Sequence, residues 1–285
     1  MKLKLFYILF FIAFTVFSQN SRKYSNEFLN IGVDAAAFGM GKAVVATTND
    51  VNSIYWNPAG LIGVNSSQGS LMHASYFAGI AQYDYAAYAM PIDAKSALGI
   101  SIIRFGVDDI LNTTELIDAD GTIDYNRISL FSAADYALNI SYARKLNVEG
   151  LSLGVNTKII RRIIGDFANS WGFGFDIGAK YIVNDWQLGL MLRDISTTFN
   201  TWNIDEVEFE KIQGAIPNQN QELPSTTEIT LPKAQLGIAR LFEVSKEVHL
   251  LTELDLNVRF TETNDLISSE ALSIDPAIGF QADYN

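Results

Sequence analysis

Apolar residues alternate with small or polar residues over most of the chain beyond Gln68. In residues 171–181 the odd positions are aromatic or aliphatic, whereas glycine, Asp176 and Lys180 occupy the even positions. A period of two predicts β-strands with one apolar face and one small or polar face. Patterns of this kind predict ten strands, near residues 68–77, 82–91, 96–105, 133–145, 150–163, 170–183, 186–196, 230–242, 248–260 and 274–285.

The lengths of these segments and of their connections favour a membrane barrel over a soluble sandwich. Several segments are longer than the roughly 5 to 6 residues of soluble strands and match the ~9 to 11 residues with which a tilted strand crosses a bilayer. Short connections at 92–95, 146–149, 184–185 and 243–247 alternate with mostly longer, polar and acidic ones, notably 106–132, 197–229 and 261–273. Short periplasmic turns and longer outer loops are typical of outer-membrane barrels. The sequence therefore predicts an all-β fold, a transmembrane antiparallel β-barrel.

The first 19 residues have the layout of a secretory signal peptide. Lys2 and Lys4 precede an apolar run over residues 5–17, which Ser18 and a polar stretch follow. The run is shorter than the ~20 apolar residues of a membrane-spanning helix. We therefore expect residues 1–19 to be cleaved beside Ser18 and the remaining chain to reach the outer membrane of a diderm bacterium.

Composition and charge exclude several classes of function. The chain has no cysteine, so neither a lipid-modified cysteine nor a disulfide anchors it. Its formal net charge of -12, which becomes -14 once Lys2 and Lys4 are removed, opposes binding to nucleic acid. His73 and His249 are its two histidines, and no catalytic or metal-binding motif accompanies them. We expect no enzyme activity, no cofactor and no metal.

Residues 20–65 lack the alternation and are rich in small residues. Glycines on both sides of Met40 permit backbone angles closed to other residues, and the Asn-Pro pair at 57–58 suits a turn or a helix start. The residues alone predict either a plug inside the barrel or a terminal segment packed on it. The small residues either belong to a gate or ligand path or form the turn that seats the plug. This candidate plug motif comprises Gly39, Met40, Gly41, Asn57, Pro58, Ala59 and Gly60.

Charged residues at the polar positions of two strands are candidates for the lumen side. They either line a permeation route or pair across the interior and stiffen the wall. The set comprises Asp176, Lys180, Glu253, Asp255 and Arg259. A basic cluster, Lys158 with Arg161 and Arg162, is expected near a membrane edge, where it contacts acidic lipid headgroups or anchors a strand end.

Three motifs in the N-terminal segment resemble the PorV/PorQ family, which is related to the FadL-type outer-membrane transport barrels. The motifs are Phe28-Leu29-x-Ile31-Gly32-x-x-Ala35, Gly39-Met40-Gly41-x-Ala43 and Asn57-Pro58-Ala59-Gly60-Leu61. The resemblance implies a FadL-like barrel of fourteen strands with its N-terminal segment folded into the lumen. The ten predicted strands are fewer, so we expect the barrel at residues 66–285 to lack a C-terminal part.

The resemblance also implies a function in the type IX secretion system. PorV-like barrels bind secreted cargo through its C-terminal domain and hand it to surface-attachment partners. The expected partners are therefore outer-membrane lipid, cargo C-terminal domains and a type IX translocon or attachment complex. A FadL-like transporter of hydrophobic small molecules is the alternative, and a purely structural paralogue is a third hypothesis. The acidic loops at 106–132 and 197–229 look more like partner-binding surfaces than entry sites for apolar ligands.

Overall fold

The computed structural model describes residues 25–117, 120–215, 226–263 and 265–284. The predicted signal peptide, residues 1–19, lies outside these described residues. None of the helices in these ranges is long and apolar enough to cross a membrane. Strands form most of the structure.

The described residues contain one antiparallel sheet of 13 strands. The strands are β1 (Gln68–Tyr76), β2 (Ala81–Asp93), β3 (Ser96–Asn112), β4 (Ser129–Lys145), β5 (Leu151–Ile164), β6 (Ala168–Val183), β7 (Trp186–Arg193), β8 (Thr198–Ile204), β9 (Thr227–Thr230), β10 (Lys233–Glu243), β11 (Val248–Arg259), β12 (Ile267–Ser268) and β13 (Ser273–Tyr284). Each strand from β1 to β7 pairs with the next, and the wall continues through β10, β11 and β13. Within the described residues β1 pairs with β2 alone, so the sheet is not closed into a ring.

The outer face of this sheet is apolar and exposed. On β6, Trp171, Phe173 and Phe175 are 52%, 57% and 47% exposed, whereas the alternate residue Asp176 is buried. Four other strands repeat the pattern with exposed Ile100, Ile102, Leu153, Val155, Leu236, Ile238, Ile278 and Phe280. An apolar surface of this extent is typical of contact with lipid. The structure confirms the predicted class of transmembrane β-barrel.

Residues 25–64 lie against the inner face of the sheet, and we call them the plug. The plug consists of a 3₁₀-helix (Glu27–Asn30), α1 (Ala35–Gly39), α2 (Ser53–Trp56) and a second 3₁₀-helix (Pro58–Gly63). The Asp34 side chain caps α1. Asn57 caps the second 3₁₀-helix by accepting a hydrogen bond from the Ala59 N–H, with Pro58 in the first helical position. The Asn-Pro pair thus starts a helix, one of the two outcomes predicted for it.

Apolar plug residues pack against the inner face of the wall. Leu29 and Trp56 belong to one buried cluster that includes Tyr83, Ile103 and Ile160 of β2, β3 and β5. A second cluster joins Val51, Ile54, Leu61 and Val64 to Ala89, Ala97 and Ala143 near the short turns. Full burial of one such aliphatic side chain contributes about 1.5 to 3 kcal/mol. In this structure, residues 25–64 therefore pack on the inner face of the sheet.

The plug runs through the lumen from the outer loops to the short turns. At its outer end the Ser25 hydroxyl donates to Glu228 and the Asn26 amide donates to Thr230, both on β9. At its other end Val64 packs in the cluster that contains Ala97, close to the turn between β2 and β3. The described plug therefore extends along the inner face of the sheet, from the outer loops to the short turns.

The ten predicted strands agree with the ten long strands, but the outer connections contain more structure than predicted. β3 and β4 extend into the predicted loop 106–132. The predicted loop 197–229 contains β8, α3 (Glu206–Ala215) and β9, and β12 lies in 261–273. The strands among these elements are short and are held by pairing with neighbouring strands. β8 pairs with the outer half of β6 and with β9, and β12 pairs with two residues of β13.

Candidate functional site

The interface between the plug and the wall depends on strand glycines. A Cβ built on the glycine of β3 would lie 2.6 Å from Ile54 Cγ1, and one on the glycine of β10 would lie 2.9 Å from the Ala46 amide nitrogen. On β13 the corresponding distance to the Met40 carbonyl oxygen would be 2.5 Å. No side chain fits at such distances, so glycine allows the plug backbone to touch the wall. The glycines in this position are Gly99, Gly154, Gly178, Gly189, Gly237 and Gly279.

Two buried carboxylates on β11 hold the extended part of the plug, and we call Glu253 and Asp255 the carboxylate clamp. Asp255 Oδ2 accepts hydrogen bonds from the amides of Val44 and Val45 at 3.0 and 3.1 Å. Glu253 Oε1 accepts from the Ala46 amide at 2.6 Å, and its other oxygen accepts from the Thr47 hydroxyl. Both side chains are about 1% exposed, so these bonds replace hydrogen bonds to water at the oxygens that form them.

Lys180 extends the same arrangement from β6. Its ammonium group donates to the Thr48 carbonyl oxygen, and its side chain is buried. The predicted lumen-side charges Lys180, Glu253 and Asp255 therefore contact plug backbone over residues 44–48. In this structure they do not line an open route.

Asn57 of the plug motif is a second point of attachment. Its side-chain amide donates to the Val45 carbonyl oxygen at 2.9 Å and to the Ala179 carbonyl oxygen of β6 at 3.2 Å. The Ser152 hydroxyl of β5 donates to the Ala59 carbonyl oxygen at 3.2 Å. These contacts support the interpretation that the Asn-Pro turn seats the plug.

Asp176 belongs to a separate buried ion cluster with Lys158 and Asp194. Lys158 Nζ lies 2.8 Å from Asp176 Oδ1 and also contacts Asp194 Oδ1. The Asp194 amide donates to Asp176 Oδ1 at 2.8 Å, and Asn156 next to this cluster donates to the Ile54 carbonyl oxygen of the plug at 2.8 Å. The cluster therefore pairs buried charges on the inner face of the wall, next to the plug.

The expectation that Lys158 forms one basic cluster with Arg161 and Arg162 is wrong. Successive strand residues point to opposite faces. Lys158 is buried inside, and Arg162 pairs with Asp135 of β4 at 2.8 Å. Arg161 lies over the Trp171 ring at 4.8 Å instead. Lys158 is two residues after Asn156, at a polar position of the same alternating strand, and this spacing in the sequence predicts that it points inward.

The remaining predicted residues lie apart from the clamp. Nothing lies within 4 Å of the position where a Cβ would stand on Gly39, and Gly41 has a φ of +61° that favours glycine. Met40 packs on β13 through its backbone and side chain. Arg259 lies at the outer end of β11, 3.7 Å from Asp265. The structure thus brings part of the predicted set together and separates Gly39 and Arg259 from it.

Tyr55 and Trp56 form hydrogen bonds with other residues of the plug. The Tyr55 hydroxyl donates to the Leu29 carbonyl oxygen at 2.6 Å, and Trp56 Nε1 donates to the Val33 carbonyl oxygen at 3.1 Å. Burial raises the pKa of the Tyr55 phenol above its ordinary value, although the nearby Arg193 acts in the opposite direction. The phenol therefore stays neutral and remains a hydrogen-bond donor.

The two histidines lie on different strands, His73 on β1 and His249 on β11. His73 Nδ1 lies 2.7 Å from Asp84 Oδ1 on an exposed part of β1 and β2. Within the described ranges, no group of three or more His, Cys, Asp or Glu residues is arranged to hold a metal ion.

Comparison with solved structures finds distant similarity to outer-membrane barrels. A Pseudomonas aeruginosa FadL homologue is 12% identical with a TM-score of 0.46, and the alignment covers 89% of this chain and 76% of that one. The Ralstonia pickettii toluene transporter TbuX is 10% identical with a TM-score of 0.45, and the coverage is 89% and 82%. Similarities at this level say nothing about what the present chain binds or transports.

A family model gives the decisive match. Among curated proteins, no sequence matches the chain. The model of the type IX secretion system protein PorV matches residues 17–211, which is more than half of the 285 residues. The match includes the plug and most of the wall strands that contact it. The chain therefore belongs to the PorV family of type IX secretion system proteins and is an outer-membrane component of that system.

Proposed function

We propose that the protein binds secreted cargo at the cell surface, through the C-terminal domain of the cargo, and passes it to attachment partners of the type IX secretion system. Membership of the PorV family is the observation that carries this proposal. The protein acts without catalysis, as a binding or shuttle component. Its partners are cargo C-terminal domains and a translocon or attachment complex.

The filled lumen supports binding at the surface rather than passage through the barrel. The clamp, Lys180 and Asn57 hold the plug by hydrogen bonds to its backbone. One cavity between the plug and strands β7, β10, β11 and β13 has a volume of about 200 Å³, and charged side chains line it. An apolar solute passing through would have to displace these contacts and desolvate the charges. A FadL-like transport function is therefore the weaker alternative.

The outer hairpin between β3 and β4 offers a surface for a protein partner. Ile117 and Ile123 form a bridge in this hairpin and are 61% and 53% exposed. Tyr125, next to them, is 71% exposed. Exposed apolar groups beyond the lipid-facing part of a barrel mark interaction sites, and tyrosine is favoured in such interfaces. We place the cargo contact on this hairpin.

Affinity capture of the tagged protein from detergent-solubilised outer membranes tests the proposal. Mass spectrometry should recover secreted proteins that share a C-terminal domain, or a large translocation channel. The double variant Ile117→Ser with Ile123→Ser should lose the cargo proteins. Val148→Ser with Val244→Ser is the matched control, because these exposed valines lie in short turns at the other end of the barrel. Deletion of the protein should abolish secretion and attachment of the cargo.

Two results would count against this function. Unchanged secretion and surface attachment after deletion would remove it. Capture of a barrel carrying only lipid or fatty acid, together with protein-dependent uptake of a labelled apolar solute, would favour the transport alternative.

A further inference from the structure

Three cationic side chains stand side by side on the inner face of the wall at its outer end. Lys233 of β10 is directly opposite Arg193 of β7 on one side and Arg259 of β11 on the other. Residues that are directly opposite on antiparallel strands point to the same face, and like charges in such positions destabilise a sheet. We call Arg193, Lys233 and Arg259 the cation row.

Neutral groups, rather than carboxylates, contact most of the cation row. Arg193 donates to Gln235 Oε1 and to the Tyr55 carbonyl oxygen, both at 2.7 Å, and Lys233 donates to Asn30 Oδ1. In the part of the chain that the structure describes, neither Arg193 nor Lys233 has a carboxylate within 4 Å. Arg259 has Asp265 at 3.7 Å. Arg193 and Lys233 therefore have no direct ion pair among the described residues, although Asp194 attracts Lys233 through space.

A cavity of about 200 Å³ lies in front of the cation row, between it and the plug. Lys42 of the plug adds a fourth cation to the lining, and the side chains of Asn30 and Trp56 close the plug side. Asp275 supplies the one carboxylate among the described lining residues, and it is exposed. The cavity has room for a phosphate-sized group with its hydration water.

We propose that this cavity binds a phosphate group, either free or as a phosphate monoester. Three cations facing one cavity, two of them without a direct ion pair, match a dianion better than a monoanion. The planar fork of Arg193 and the point charge of Lys233 suit the tetrahedral oxygens of phosphate. The site opens toward the outer loops, because all three residues lie at the strand ends opposite the short turns. The site is independent of the cargo-binding function proposed above.

Isothermal titration of the full-length protein in detergent, at constant ionic strength, tests this site with inorganic phosphate. Lys233→Gln should weaken phosphate binding by about tenfold to a hundredfold, since a hydrogen bond to a charged group contributes about 1.5 to 3 kcal/mol. Lys246→Gln makes the same change of charge in the exposed turn between β10 and β11, and should bind phosphate as the parent does. Arg259→Gln is a second variant that leaves the contact between Lys233 and Asn30 intact.

Two further titrations define the ligand. Acetate should bind at least about tenfold more weakly than phosphate, because it supplies one negative charge and a planar fork. Phosphatidic acid in mixed micelles serves as a lipid monoester: binding of inorganic phosphate identifies a soluble ligand, and binding of phosphatidic acid alone identifies a lipid headgroup. The proposal is overturned if neither phosphate source binds, if acetate binds as tightly, or if Lys233→Gln and Lys246→Gln behave alike.

Discussion

Replacing Glu253 and Asp255 by alanine removes both acceptors of the carboxylate clamp. Three buried backbone N–H groups, of Val44, Val45 and Ala46, then lose their partners. Each buried donor left without an acceptor costs about 1 to 3 kcal/mol, which gives about 3 to 9 kcal/mol in total. The lower end applies, because the change also removes two closely spaced carboxylates from a buried site, and such burial is costly.

A loss of about 3 kcal/mol increases the undocked population of the plug about a hundredfold, since each 1.4 kcal/mol is a factor of ten. The chain has no cysteine, so Val45→Cys places one thiol in the buried plug. The rate of labelling by a water-soluble maleimide then measures how often the plug opens. We expect the rate to rise about a hundredfold in the Glu253→Ala with Asp255→Ala background, where three plug amides have lost their two carboxylate acceptors.

Two controls separate plug opening from general unfolding. Glu149→Ala with Asp185→Ala removes two carboxylates from exposed turns, and it should leave the labelling rate of Val45→Cys unchanged. Ser245→Cys lies in an exposed turn and should be labelled at the same rate in every background. If the clamp variant labels Val45→Cys no faster than the Glu149 and Asp185 control, the clamp does not hold the plug.

Three further changes test other parts of the interface. Gly178→Val places a side chain against Asn57 and Pro58. It should lower by several degrees the temperature at which heating shifts the band of the folded barrel on a denaturing gel. Gly69→Val, on an open part of β1, should leave this temperature unchanged. Lys158→Met leaves Asp176 and Asp194 buried without a cation and should cost about 3 to 5 kcal/mol in denaturant unfolding, a loss that an equal stability of variant and parent would refute. Because burial raises the pKa of Tyr55, its contribution to stability is full below the ordinary tyrosine pKa near 10.0 and is lost as pH rises through the higher folded value. Tyr55→Phe should flatten that alkaline loss of stability, and an unchanged pH profile would contradict the assignment.

The sequence predicts the wall well because each wall strand alternates between the same two environments. On β6, lipid on one side and the plug on the other select an apolar residue and then a glycine, as at Ile177, which is exposed, and Gly178, where a Cβ would meet Asn57. β8 has no such selection, and its apolar residues at 199, 202 and 204 follow no regular period. Its position depends on pairing with the outer half of β6.

The candidate site is predicted only in outline. Alternation identifies Glu253 and Asp255 as inward-facing, and their burial agrees with that prediction. Periodicity says nothing about which plug atoms they meet, because the register between an irregular segment and a strand is set by packing in three dimensions. The same limit explains Lys158, whose nearness in sequence to Arg162 concealed its ion pair with Asp176. Neighbours across the sheet, rather than neighbours along the chain, also create the cation row.

The contacts of the plug join the beginning of the chain to strands that are synthesised much later. Val44 and Asp255 are 211 positions apart, and Ser25 and Glu228 are 203 apart. Contacts between such distant parts of a chain form slowly. A shift of β11 by one residue against β10 would turn the clamp toward lipid and leave the plug amides without acceptors. Docking of the plug is therefore a late step of biogenesis, and it succeeds only on a wall whose strands have been inserted in the correct register.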